Sequence, residues 1–244
     1  MKSTIQILVL VSGFCLLSGN VSLAQPVVIC SFEVGDNNSA ESYYLKSNAL
    51  VQYRFGKNMA EAGVLMNIKN TEQYFFPAYR LMAAREFAIR EFPFAVQAFW
   101  VQTADDEMLR ETNWGFGVSK EWKHIGLVLG TNRKIYAFRN NAIETYNIEK
   151  DAEKIKEPFS LLYSLSYFFK PIGNSWNMGL AVTNFDYFLY NQETNPIFNL
   201  NGYYKLNSNI SLFTQVWFEP SGIFNINACY FGYYVRTGIK LKIK

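Results

Sequence analysis

His124 is the single histidine in the chain, so any Ser–His pair or imidazole-bound metal would have to use it. It stands at the start of a strand pattern, just after a tight turn, with its side chain on the inward parity, and no serine–histidine spacing surrounds it. Asp105-Asp106-Glu107 is a carboxylate run of the kind that suits Ca²⁺, but it lacks the glycine turn that would fix the ligands. It reads as a solvated loop. The stretch from Glu144 to Glu157 alternates in charge sign and suits a short helix with i,i+4 pairs within a long loop. Trp100, Trp114, Trp122, Trp176 and Trp217 could stack a ligand; their places near strand ends or on an outward face fit interfacial anchoring better. No phosphate loop, zinc spacing or nucleic-acid motif is present. The sequence therefore assigns no catalytic residue, no metal ligand and no cofactor, and the chain is read as a non-enzyme.

The elements that would carry these residues begin with an export signal. Lys2 precedes the apolar run Ile5–Leu17, and Ser22-Leu23-Ala24 precedes Gln25. This is the pattern of a signal peptide over residues 1–24, cleaved after Ala24. The apolar run is too short to cross a bilayer, which takes roughly 20 residues. Neither Cys15, after Phe14, nor Cys30, after Ile29, has the small preceding residue of a lipidation signal. Removing Lys2 from the 23 basic residues leaves 22 against 20 acidic ones, a balance that argues against nucleic acid as a partner. The two cysteines left, Cys30 and Cys229, make no disulfide scaffold, and their heights on the first and last strands do not match, so they are expected to stay unpaired.

Half of the residues are hydrophobic and 17% aromatic, yet no mature segment is a long apolar helix. That apolar surface has to be placed elsewhere. Period-two alternation supplies the answer. Leu161, Tyr163, Leu165 and Tyr167 alternate with Ser160, Leu162, Ser164 and Ser166; Trp114, Phe116 and Val118 alternate with Asn113, Gly115, Gly117 and Ser119; Tyr233, Val235, Thr237 and Ile239 alternate with Tyr234, Arg236, Gly238 and Lys240. A soluble barrel would show water many Lys and Glu on its polar face. Here that face is largely Gly, Ser, Asn and Thr, which suits a confined interior, with the aromatics outside against lipid.

Tight turns at Lys57-Asn58, Arg90-Glu91, Glu121–Lys123, Lys170–Asn174 and Asn207–Asn209 alternate with longer polar segments, including 35–42, 103–111, 139–157 and 219–228. The fold class is an all-β transmembrane antiparallel up-and-down barrel of about twelve strands (ten to fourteen), one domain over 25–244. The expected strands lie near 26–34, 43–56, 60–68, 75–89, 93–102, 112–120, 123–138, 158–169, 175–187, 197–206, 209–218 and 229–243. Arg85 and Phe99 disturb the parity of two of them.

With a leader, alternating strands, turn–loop asymmetry and the terminal strand Tyr233-Tyr234-Val235-Arg236-Thr237-Gly238-Ile239-Lys240, residues 26–244 resemble the single-chain outer-membrane β-barrel proteins of Gram-negative bacteria. The resemblance is one of architecture. It implies residence in the outer membrane, contact with its lipid, and handling by the barrel-assembly machinery. The chain ends Ile243-Lys244, where barrels of this class usually end in an aromatic residue. The inward parity carries Arg54, Lys69, Lys205, Arg236, Lys240 and Lys242 against Glu33, Glu61 and Glu121, with the two irregular strands left out. Of these, Arg54, Lys205, Arg236, Lys240 and Glu121 are the candidate lumen-lining residues. They predict a small passive or solute-selective channel with a mildly basic lumen. The alternative is a non-conducting structural or interaction barrel, such as an adhesin or a secretion or assembly subunit with an envelope protein partner. An outer-membrane hydrolase ranks behind both.

Overall fold

A computed structural model describes residues 25–36, 44–68, 78–104, 109–149, 154–186, 191–220 and 232–243. The expected leader over 1–24, Lys69, the run Asp105–Glu107 and Cys229 lie outside the described residues.

The alternating segments form β1 (Gln25–Asp36), β2 (Tyr44–Phe55), β3 (Asn58–Asn67), β4 (Ala78–Ile89), β5 (Phe92–Ala104), β6 (Leu109–Glu121), β7 (Ile125–Phe138), α1 (Asn140–Tyr146), β8 (Lys154–Lys156), β9 (Ser160–Phe168), β10 (Trp176–Asp186), β11 (Asn191–Lys205), β12 (Ile210–Glu219) and β13 (Gly232–Lys242). Each strand except β8 pairs antiparallel with its neighbours in sequence, and β1 closes on β13, with Cys30 opposite Ile239. The result is a closed twelve-stranded up-and-down barrel. Closure gives every wall strand two partners, as a lipid environment requires. β8 lies outside this count: its three residues pair with Ile135–Ala137 at the end of β7 and fold the β7–β9 connection back on the wall. That connection carries α1 at its start. The helix therefore sits before Glu144–Glu157, the region expected to be helical, and overlaps it only at its last turn.

The start of β1, the end of β13 and the short turns gather at one end of the barrel. Gly56-Lys57 joins β2 to β3, one residue ahead of the expected turn, and Arg90-Glu91 joins β4 to β5. Both loops place their first residue at positive φ, 57° in each case, as two-residue hairpins demand. Glycine adopts that conformation freely; Arg90 does so at a cost of about 1 kcal/mol.

The period-two reading assigns the faces correctly through most of the wall. Phe32, Val51, Phe116, Leu129, Leu161, Leu165, Leu180, Phe198, Val216 and Tyr233 are exposed on the outside, an apolar band of the kind a membrane-spanning barrel presents. Cys30 is on this outer face. Three residues need correction or resolution. Trp217, expected among the outward or strand-end anchors, points inward and is 1% exposed. Phe99 also points inward, opposite Gly115, and Arg85 points outward beside Phe87, so the two strands they seemed to disturb are regular.

Candidate functional site: the barrel lumen

A barrel of eight strands is just filled by its inward side chains, and one of twelve is wider. Filling it takes long inward residues, and the chain supplies them among its small ones. At the centre of one cluster is Arg236 on β13, whose cross-strand neighbours are Glu33 on β1 and Gln215 on β12. Its Nε donates to Glu33 Oε2 at 2.9 Å, and Nη2 donates to the same oxygen. Nη2 also reaches Asp186 Oδ2 at 2.8 Å, although β10 is three strands away around the wall. Tyr234 Oη donates to that same Asp186 oxygen at 3.2 Å, and Trp217 stacks on Tyr234 with centroids 5.4 Å apart. Arg236 is 0% exposed.

Asp186 reaches this cluster through a backbone irregularity. Regular parity from Thr183 would turn residue 186 towards lipid. The β10–β11 register shifts between Thr183 and Phe185, and the strand end turns into the lumen. Asn184 makes good the pairing lost to β9: its amide donates to Leu161 O at 2.8 Å and its carbonyl accepts from Tyr163 N at 2.8 Å.

A second ion pair joins Glu61 on β3 to Arg80 on β4 at 2.7 Å, with both side chains under a tenth exposed. Gln52 donates to the other Glu61 oxygen at 3.3 Å. Between these polar groups runs an apolar bundle of Met82, Phe99, Val101, Leu162 and Phe185. It extends from β4 and β5 to β9 and β10, and so bridges the lumen. Glycines opposite two large inward rings, Phe99 of this bundle and Phe213 on β12, allow the fit. A Cβ on Gly115 would come within 2.9 Å of Phe99 Cζ, and one on Gly238 within 2.7 Å of Phe213 Cζ.

An inward side chain lining a water-wide pore keeps accessible surface. Here Phe185, Val101, Ile197, Trp217, Arg236, Asn113 and Asn132 have almost none. The middle and long-loop half of the lumen is thus a dry, filled band. Towards the short turns the inward side chains regain exposure, forming a vestibule. Of the candidate lining residues, Arg236 belongs to the dry band. The inward register places Arg54, Lys205 and Glu121 at the exposed mouth, and Lys240, half-buried, above it. Arg54 is 63% exposed and stands 3.9 Å from Glu86. Sequence parity missed Asp186, because it could not see the register shift. Arg80 is hidden from parity because Arg85 on the same strand points outward, and Trp217 faces inward against its expected place.

His124 is partly buried at the turn, with Nδ1 3.0 Å from Phe168 O and its ring tilted against Tyr167. A separate concavity of about 460 Å³ lies on the outer wall between Leu165, Leu180, Phe198 and Val216, on the lipid side.

No family model matches the chain, and no curated protein matches it in sequence. Solved structures do match in fold. The KdgM porin in complex with disordered oligogalacturonate aligns with a TM-score of 0.54 and 11% identity, over 89% of this chain and 99% of that one. Another structure of the KdgM porin aligns at 0.52 and 9%, over 88% and 99%. The translocator domain of the autotransporter NalP from Neisseria meningitidis aligns at 0.49 and 10%, over 99% and 95%. At such identities the KdgM likeness establishes a shared architecture: the fold of this chain is that of outer-membrane β-barrels.

Proposed function

We propose that the chain is an outer-membrane channel for small solutes, entered through a basic vestibule and held shut at rest by the side chains of its lumen. The observation that carries this reading is the Arg236 clamp above the vestibule. A charged tie between separate strands of the wall is a contact that water and ions can replace, since each partner gains hydration when the tie breaks. Asp186 is the partner that reaches Arg236 from three strands away, whereas Glu33 holds Arg236 against the adjacent strand. Breaking the Asp186 contact would therefore loosen one side of the closure without releasing Arg236, and opening also requires the apolar bundle to shift. In the vestibule Arg54, Lys205, Lys240 and Lys242 outnumber Glu121 and Glu86, which favours anions at the mouth. The buried band adds no basic excess: Arg80 and Arg236 face Glu33, Glu61 and Asp186.

The apolar bundle favours a second reading, a non-conducting barrel that serves as a scaffold or an interaction partner in the envelope. Planar-bilayer recording separates the two. The first reading expects rare, small openings of the unmodified protein. It expects Asp186→Asn to raise the open fraction about tenfold, the effect of weakening a tie by about 1.4 kcal/mol. Silence of both proteins at high load leaves the scaffold reading.

A further inference from the structure

The outer rim of the short-turn end carries a charge pattern that the lumen does not explain. Lys57, Arg85, Arg90, Lys120, Lys123 and Lys170 lie there on the outward face or in the turns. Among the described residues of that rim, Glu91 is the acid facing them, since Glu86 and Glu121 are on the inward register. Among the described residues of the other end the signs are mixed, with Arg110, Arg139 and Lys154 beside Glu144 and Glu149.

We propose that this rim binds the headgroups of anionic phospholipids, with Arg85 and Lys120 as its centre. Both cations lie on aromatic rings of the outer wall. Lys120 Nζ is 3.2 Å from the centroid of Phe92 and 5.5 Å from that of Trp122, and Arg85 Cζ is 5.4 Å from that of Phe87. The rings are themselves packed, Phe92 edge-on to Trp122 at 6.5 Å and Phe87 stacked on Phe94 at 5.7 Å. The register sets Arg85 opposite Val96 and Val96 opposite Val118. Lys120 is then two residues nearer the turns on β6, with β5 between the two cations. A guanidinium and an ammonium on either side of an apolar floor suit a phosphodiester whose acyl chains lie along the wall above it.

The depth selects lipid over a soluble polyanion. Arg85 and Lys120 are on strands, level with an aromatic girdle whose place is the headgroup region. A polymer in the aqueous phase would meet the turn tips, at Lys57, Arg90, Lys123 and Lys170. Basic clusters beside a hydrophobic span attract anionic lipid, and salt screens the attraction only partly at this range.

The test uses the purified full-length barrel in detergent, given equal amounts of phosphatidylglycerol and phosphatidylcholine, with retained lipid counted by native mass spectrometry. The expected result is retention of phosphatidylglycerol in about tenfold excess. Arg85→Gln with Lys120→Gln should abolish that excess. Arg85→Lys with Lys120→Arg, and Lys154→Gln with Lys156→Gln at the opposite end, should preserve it. Heat-dependent gel mobility verifies that each variant is folded, and the charge-keeping pair keeps the test decisive if the neutral pair misfolds. Equal retention of the two lipids, an excess that survives in the neutral pair, or displacement of the lipid by inorganic polyphosphate acting at the turn lysines would each overturn the proposal.

Discussion

The dry band and the vestibule are built on the same twelve strands, by the same alternation, and they use charge in opposite ways. In the dry band Arg236 is fully enclosed, and its donors are spent on Glu33, Asp186 and Gln215. In the vestibule Arg54 is mostly exposed, with one acid at 3.9 Å. A charge taken out of water has to be matched within the protein, because desolvation costs several kcal/mol per ion. A charge left in water needs no partner and contributes little to stability. Burial, not residue type, therefore separates the structural arginine of this lumen from the arginine available to a solute.

The largest effect should come from Arg236→Gln. It would leave Glu33 and Asp186 facing each other without their cation, and should destabilise the barrel by about 3–5 kcal/mol. Denaturant unfolding in lipid vesicles measures this. Restoring most of the loss with Glu33→Gln and Asp186→Asn in the same chain would confirm that unpaired charge is the cause. A loss under about 0.5 kcal/mol, the range of an ordinary surface change, would erase the distinction between the two regions.

A smaller contrast sharpens it. Gly115→Ala in the dry band puts a methyl against Thr131 O and Phe99, and should cost about 1–3 kcal/mol, the usual range for overpacking. Gly202→Ala meets nothing within 4 Å. It should be neutral or stabilising by up to about 1 kcal/mol, through the loss of glycine's freedom in the unfolded chain. Equal effects at the two positions would mean that the band is looser than its enclosed side chains indicate.

The smallest effect on stability belongs to the vestibule. Lys205→Glu with Lys240→Glu should change unfolding by no more than about 1 kcal/mol. If the vestibule admits ions, the same pair should shift the reversal potential towards cations, and the shift should shrink as salt shortens the roughly 8–10 Å screening length. A large loss of stability without a change in selectivity would place these lysines with Arg236 as structural charges.

The legibility of each feature follows the range of the forces behind it. Alternation is local: each residue's face follows from its neighbour's, so the faces of Leu161, Ser164, Phe116 and Arg236 could be read directly. The turn signals at Arg90-Glu91 and Asn207–Asn209 are equally local. β8 is not legible in the sequence, because three residues, Lys154-Ile155-Lys156, are too short a run to establish a period. The turn at Gly56-Lys57 lies one residue ahead of its expected place because Gly56, which opens it at positive φ, continues the strand pattern in the sequence.

What the sequence determined by itself is the wall: strands of spanning length, one apolar and one small or polar face, short connections at one end and long ones at the other. A period of two is enough to specify these. The tertiary structure decided what fills the lumen. Asp186 meets Arg236, and Phe185 joins Phe99, because the curvature of the closed wall brings strands three and four places apart within side-chain reach. A register shift then turns one strand end inward. Neither closure nor that shift leaves a mark on alternation. A pattern that says which way a side chain points does not say what stands opposite it, and in this barrel that opposition separates a filled band from an open vestibule.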